Sequence, residues 1–187
     1  MRTKHLALLL LLAATLPGLA QSPDDGKVVG NAYVNSYFKF SYAWPAMLKP
    51  YDTKSLHLPQ SSPYANEFML FSAKEGDEPF GIVVIAERLN AVTPHSLGIR
   101  DGADFLDRVA KFKPEQQAVI VSRKHFTSAG GLTIDQLIYT EKGENSSATA
   151  VQIGGFLIVF KCNAKSPADL EEMNKSVVAL HLSKQGG

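Results

Sequence analysis

The sequence predicts an α+β fold in which a mainly antiparallel sheet is flanked by helices. Three observations lead to this expectation. Residues 33–45 (YVNSYFKFSYAWP) place aromatic rings at a spacing of two, the last third of the chain contains four strand-like runs in succession, and an amphipathic helix closes it. A sheet whose runs are apolar on both faces needs helices packed against it.

The first 20 residues have the pattern of a signal peptide. A basic start with Arg2 and Lys4 precedes an apolar stretch at 6–16, and small residues follow at the end. The apolar stretch is shorter than the roughly 20 residues that a bilayer span needs. We therefore expect cleavage between Ala20 and Gln21, no membrane anchor after leader removal, and a secreted or periplasmic protein.

Cleavage at that point would leave 167 of the 187 residues, with 17 basic and 18 acidic side chains and a net charge of −1. Neither sign forms a long run, which argues against nucleic acid or an anionic membrane as the main partner. We assign a flexible lead-in to residues 21–30, a single domain to 31–183 and a disordered tail to 184–187.

Residues 33–45 are predicted to form the first core strand, ended by Pro45 because proline cannot donate to a sheet ladder. The rings of its second half share one parity, as on a buried strand face: Phe38, Phe40, Tyr42 and Trp44.

Residues 46–66 carry three prolines and no clear period, and are predicted to be a loop over the sheet. Long loops with little structure of their own often carry function. Amphipathic rings on such a loop can contact a partner protein, so Tyr51, His57 and Tyr64 are the candidate partner contacts. The alternative is that this loop only covers the sheet and contacts no partner.

Two runs apolar on both parities, at 67–74 and 80–88, are predicted to pair as an antiparallel hairpin. A helix follows from about 101 to 112, with Asp101 as N-cap and Pro114 after its end. Its apolar residues recur at helical spacing: Phe105, Leu106, Val109 and Phe112.

The four runs of the last third lie at 118–126, 132–141, 147–153 and 156–163. Gly154 and Gly155 between the last two are typical of a two-residue hairpin turn with positive φ. This turn predicts the register, in which four pairs of residues face each other: Ile153 and Phe156, Val151 and Ile158, Thr149 and Phe160, Ser147 and Cys162.

The closing helix has marked boundaries, with Ser166 as N-cap and Pro167 at the first helical position. Acidic side chains occupy its early turns, where the helix dipole favours them. Its apolar stripe consists of Leu170, Met173, Val177 and Leu180.

Few residues of the chain are candidates for catalysis or metal binding. The single cysteine, Cys162, excludes an internal disulfide, and its parity with Phe160 predicts a buried small hydrophobe rather than a reactive partner of His125. Ser128 lacks the preceding glycine of a nucleophile elbow and is predicted to lie in a hairpin turn. The four histidines that follow the leader have no metal-ligand spacing: His57, His95, His125 and His181. We therefore expect no enzyme, no cofactor and no metal site.

The segment YVNSYFKFSYAWP, with Asn35, Phe40 and Tyr42, resembles the first strand of PsbP-like proteins, named after an extrinsic lumenal subunit of photosystem II. The ending IGGFLIVFKCNAKSPADLEEMNKSVVALHL is similar to the last hairpin and helix of that family. Many relatives have glycine where this chain has Lys39. The resemblance implies an α/β/α sandwich around an antiparallel sheet, a fold shared with a Ran-binding nuclear import factor, and a noncatalytic binding or assembly role.

Two functions follow as hypotheses. The first is an exported noncatalytic binding or assembly-accessory protein of the cell envelope, whose partner is another envelope or extracellular protein. The alternative is a carrier that holds a small apolar ligand between sheet and helices, in a cavity lined by Phe71, Phe105 and Phe112. A hydrolase or thiol enzyme has no supporting motif.

Overall fold

The computed structural model describes residues 22–51, 67–91, 98–128 and 130–182. The leader at 1–20, the cleavage position between Ala20 and Gln21, and the tail at 184–187 lie outside these residues. The elements in chain order are β1 Gly26–Val29, β2 Ala32–Asn35, β3 Phe40–Ala43, β4 Lys49–Pro50, β5 Glu67–Lys74, β6 Gly81–Arg88, α1 Gly102–Phe112, β7 Ala118–Thr127, β8 Thr133–Glu141, β9 Glu144–Ile153, β10 Phe156–Ala164, α2 Pro167–Val178 and β11 His181–Leu182.

These strands form two antiparallel sheets. The large sheet has the order β4-β5-β6-β10-β9-β8-β7, and the small sheet has the order β1-β2-β3-β11. The small sheet and α2 pack on one face of the large sheet, and α1 packs on β8 and β9 at the other face. The expected α+β class, a mainly antiparallel sheet flanked by helices, is therefore confirmed.

The aromatic segment is a hairpin, so the prediction of one continuous strand over 33–45 is wrong. The side chain of Asn35 makes the reversal: its Oδ1 accepts from the backbone N of Phe38 at 2.9 Å, and its Nδ2 donates to the Pro23 carbonyl at 2.8 Å. An asparagine that bonds to nearby backbone in this way favours a turn over an extended chain. Phe38 and Tyr42 are nevertheless buried, as their parity predicted.

Lys39 completes this reversal with φ of 55°. That left-handed conformation strains a residue with a Cβ atom and suits glycine. Lys39 therefore occupies a position at which the backbone itself favours glycine.

The flexible lead-in predicted at 21–30 is wrong for β1. Gly26 to Val29 pairs with β2, and Gly26 lies opposite Asn35. A Cβ atom on Gly26 would lie 1.8 Å from the hydroxyl of Tyr33, so only glycine permits this approach. The ordered domain therefore begins before residue 31.

The meander has the predicted register. Ile153 lies opposite Phe156 and Ser147 lies opposite Cys162. Gly154 supplies the positive φ at 58°, which confirms the two-residue turn. The hairpin of β5 and β6 is likewise confirmed, with a bulge between Met69 and Phe71.

Both helices begin at their predicted caps. Asp101 accepts from the backbone N of Asp104 at 2.8 Å, and Ser166 accepts from that of Asp169 at 3.2 Å. The core position predicted for Phe112 is wrong, because its side chain is 51% exposed. Phe105 and Leu106 make the sheet contact of α1, while the last turn of the helix continues into a 3-10 turn, Lys113–Gln116, at the surface.

Candidate functional site

Cys162 and His125 do not form a catalytic pair. Cys162 lies in the core beside the Ser147 hydroxyl, and burial raises the pKa of its thiol to about 12. His125 lies on β7, three strands away and so about 14 Å across the sheet. Its Nδ1 lies 2.8 Å from Oδ1 of Asp135. A thiol that stays protonated in the core is a poor nucleophile.

Ser128 lies in the predicted turn, where its Oγ accepts from the backbone N of Leu132 at 3.1 Å. Within the described ranges, no group of three or more histidine, cysteine or carboxylate side chains is arranged to hold a metal ion. His57 and His95 lie outside those ranges.

The predicted partner-contact loop is described only at Tyr51. Its ring is exposed, with Nζ of Lys74 4.9 Å from the ring centroid, and its backbone N donates to the carbonyl of Ser72 at 2.8 Å. His57 and Tyr64 lie outside the described residues. The three residues stay a predicted contact surface.

A groove of about 740 Å³ lies between α2 and the outer strands of the large sheet. It exists because α2 packs on β9 and β10 and leaves the same face of β7 and β8 uncovered beside it. Its volume is in the range of ligand-binding sites in proteins. Its wall is mainly apolar: Val121, Phe126, Ile138, Leu170 and Val178.

The strand β7 borders this groove and is an edge of the large sheet. Ten residues long, it pairs with β8 on one side and with no described strand on the other. Val119 and Val121 are 65% and 61% exposed. A long edge strand with exposed apolar side chains is a template for pairing with another chain.

Polar side chains occupy the rim and the floor of the groove. Lys175 pairs with Glu171 at 2.7 Å, and this contact lowers the pKa of Glu171. On the floor, Nε2 of Gln136 donates to the Thr149 hydroxyl at 3.0 Å. Lys124 is exposed beside them. The rim therefore has charge, while the floor has an uncharged amide between apolar side chains.

A second concavity, of about 390 Å³, lies on the opposite face beside α1. Glu67 of β5 and Glu87 of β6 are directly opposite each other at its wall. Burial and then the charge of Glu67 raise the pKa of Glu87 to about 7, while Lys161 and Arg108 act in the opposite direction.

The cavity expected from Phe71, Phe105 and Phe112 does not occur. Phe105 and Phe112 line the cleft beside α1, whereas Phe71 lies in the core on the other face of the sheet. The bulge in β5 turns Phe71 to that face. The larger apolar space lies at α2 instead.

Sequence reasoning predicted β7 as a strand but not as an edge, and it missed both concavities. The consecutive apolar residues at 118–121 are typical of a strand covered on both faces. The position of β7 at an edge depends on the order of all the strands in the sheet. The residues of β7 alone do not indicate that order.

No helix within the described parts of the chain is long and apolar enough to cross a membrane.

No protein-family model and no curated protein sequence matches this chain. Among solved structures, the chain is similar to cyanobacterial PsbP (CyanoP) of Synechocystis sp. PCC 6803 in solution, with a TM-score of 0.56 and 16% identity. The match covers 84% of this chain and 98% of that one. A crystal structure from Bacteroides thetaiotaomicron VPI-5482 matches with a TM-score of 0.38 and 16% identity, over 86% of this chain and 51% of that one. The match to cyanobacterial PsbP shows that the chain has the PsbP-like fold.

Proposed function

We propose that this protein is a noncatalytic binding or assembly-accessory protein of the cell envelope, and that it binds an extended segment of another envelope or extracellular protein along β7. One observation carries the proposal. The ten-residue edge strand β7 lies beside an apolar groove of about 740 Å³.

The binding mode follows from strand geometry. An added strand pairs its backbone with the outer side of β7, and alternate side chains of that strand point to the same face. On the groove side they meet Val121, Phe126 and Ile138. Backbone pairing supplies affinity, and the groove selects apolar side chains.

The envelope location rests on the leader pattern at 1–20, with cleavage between Ala20 and Gln21. The proposed partner is a protein rather than a nucleic acid, because the net charge of the chain is near zero and no long basic run is present to bind phosphate groups. The noncatalytic role is supported by Cys162, whose buried thiol has a pKa of about 12.

The volume and apolar wall of the same groove also favour the alternative, a carrier of a small apolar ligand held between the sheet and α2. Native mass spectrometry of the protein from its host distinguishes the two. A co-purified small molecule lost on Val178→Lys substitution, at a partly buried position of the groove wall, supports the carrier.

Photocrosslinking in the native host tests the main proposal. A photoreactive residue replaces Val121 on β7, and the matched control replaces Val28, an exposed valine on β1 at the edge of the small sheet. Position 121 is expected to crosslink an extended, apolar segment of an envelope protein. Equal capture from position 28, or none from position 121, contradicts the proposal.

A further inference from the structure

The carboxyl group of Glu87 is buried without a close partner. It lies near the end of β6, is 6% exposed, and makes no hydrogen bond or ion pair within 4 Å to any residue that the structure describes. Buried polar groups in proteins are nearly always paired, and an unpaired one destabilises the folded state. Its position at the wall of the 390 Å³ cleft points to an occupant.

Glu67 adds a second carboxyl group at the same wall. The register of β5 and β6 places Glu67 directly opposite Glu87, so both side chains stand on one face of the sheet. Like charges directly opposite each other destabilise a strand pair. A positively charged occupant would offset that repulsion.

The cations around the cleft leave this pair incompletely neutralised. Nη2 of Arg108 lies 3.0 Å from Oδ2 of Asp104, and Nζ of Lys113 lies 2.6 Å from Oε2 of Glu141. Lys161 attracts both carboxyl groups, and Arg108 also attracts that of Glu87. Lys161 forms no ion pair within 4 Å with either carboxyl group. Arg108 and Lys113 are each paired with a carboxylate of their own, so two ionised groups, Glu67 and Glu87, face the single charge of Lys161.

Part of the wall is apolar, with Ile99, Phe105, Val109 and Phe112, while Gln116 and Tyr139 line it beside the three cations. The ring of Phe112, half exposed at the end of α1, is accessible to a ligand. Carboxylates on one side and aromatic carbon on the other favour a ligand that has a cationic head and an apolar body.

We propose that the cleft between α1 and strands β5, β6 and β10 binds a small organic ammonium compound through Glu67 and Glu87. Its ammonium group donates to the two carboxylates, and its apolar body packs on Phe105, Val109 and Phe112. A bare divalent cation fits this wall poorly, because Ca²⁺ takes about six to eight oxygen ligands. The site is separate from the groove at β7.

Titration with 2-phenylethylamine, followed by NMR chemical shifts, tests this proposal in the full chain. The amine keeps its charge between about pH 6 and pH 8, whereas Glu87 loses its proton near pH 7. Affinity is therefore expected to rise about tenfold over that interval. The neutral isostere 2-phenylethanol should bind about tenfold more weakly at the upper pH or not at all.

Glu87→Gln keeps the size of the side chain and removes its charge. It should weaken amine binding at about pH 8 by about tenfold or more and remove most of the pH dependence. Glu172→Gln, on the exposed face of α2, is the matched control and should bind as the parent does. Equal affinity in Glu87→Gln, equal affinity for the alcohol, or no amine binding up to about 10 mM overturns the proposal.

Discussion

The hydroxyl of Tyr42 lies 2.9 Å from the hydroxyl of Ser176. The two residues are 134 positions apart, one on β3 of the small sheet and the other on α2. Oγ of Ser176 also donates to the Met173 carbonyl at 2.7 Å, so the Tyr42 hydroxyl is the donor between the two side chains. This bond joins the two elements that cover one face of the large sheet.

Tyr42→Phe should lower the free energy of unfolding by about 1 kcal/mol, because it removes one buried hydrogen bond and leaves the ring in place. Urea denaturation measures the change. Tyr37→Phe is the control, since the Tyr37 ring is partly exposed and its hydroxyl bonds to no described residue. An equal loss of unfolding free energy in both variants would contradict a specific stabilising role of the Tyr42 hydroxyl.

Lys39→Gly should stabilise the protein by about 0.5–1 kcal/mol, because glycine adopts the φ of 55° without strain. Lys27→Gly on β1 is a control of opposite sign, since glycine in a strand lowers stability by about 0.5–1 kcal/mol. Melting temperatures of the two variants give the comparison. A lower melting temperature for Lys39→Gly contradicts the strain at this turn.

The pKa of Glu87, raised from an ordinary value of 4.5 to about 7, predicts a pH dependence of stability. Between those values the folded state keeps a proton that the unfolded state releases, so the free energy of unfolding falls as pH rises. The loss amounts to about 1.4 kcal/mol per pH unit and about 3 kcal/mol in all. The raised pKa of Glu67 acts in the same direction.

Urea denaturation from about pH 4 to pH 8 measures this dependence. Glu87→Gln should remove most of the decline, and Glu172→Gln should retain it. A parent protein whose stability is flat over the interval would show that Glu87 is ionised in the folded state at low pH.

Val121→Lys should weaken binding of the partner segment by about tenfold or more, because a charge would replace an apolar contact at the groove. The substituted residue is 61% exposed, so the melting temperature should change little. Val28→Lys on β1 is the matched control for a lysine on an edge strand. Calorimetry measures the affinity of each variant for the captured segment, and only Val121→Lys should bind it more weakly.

Locally coded features were predictable from the sequence. The cap at Ser166 and the Gly154 turn depend on residues next to them in the chain, and the turn fixes the register of β9 and β10. The reversal at Asn35 was missed because its turn residues lie within an aromatic run whose parity fits one strand. At this position the hydrogen bonds of the Asn35 side chain determine the backbone conformation, although the alternation of the neighbouring residues fits a strand.

Both concavities depend on long-range order. The groove requires that β7 be the edge of a seven-stranded sheet and that α2 stop short of it. The carboxyl pair requires that Glu67 lie opposite Glu87 across a hairpin with a bulge between Met69 and Phe71. Neither strand order nor a bulge follows from the spacing of apolar residues.

Hydrogen exchange of the β7 amides, with and without the partner segment captured at position 121, tests the central proposal most directly. An added strand would pair with the outward N–H groups of residues 118–127, so those amides should exchange more slowly in the complex, while the amides of β1 stay unchanged. Unchanged exchange throughout β7 in the presence of saturating partner would contradict binding at this edge.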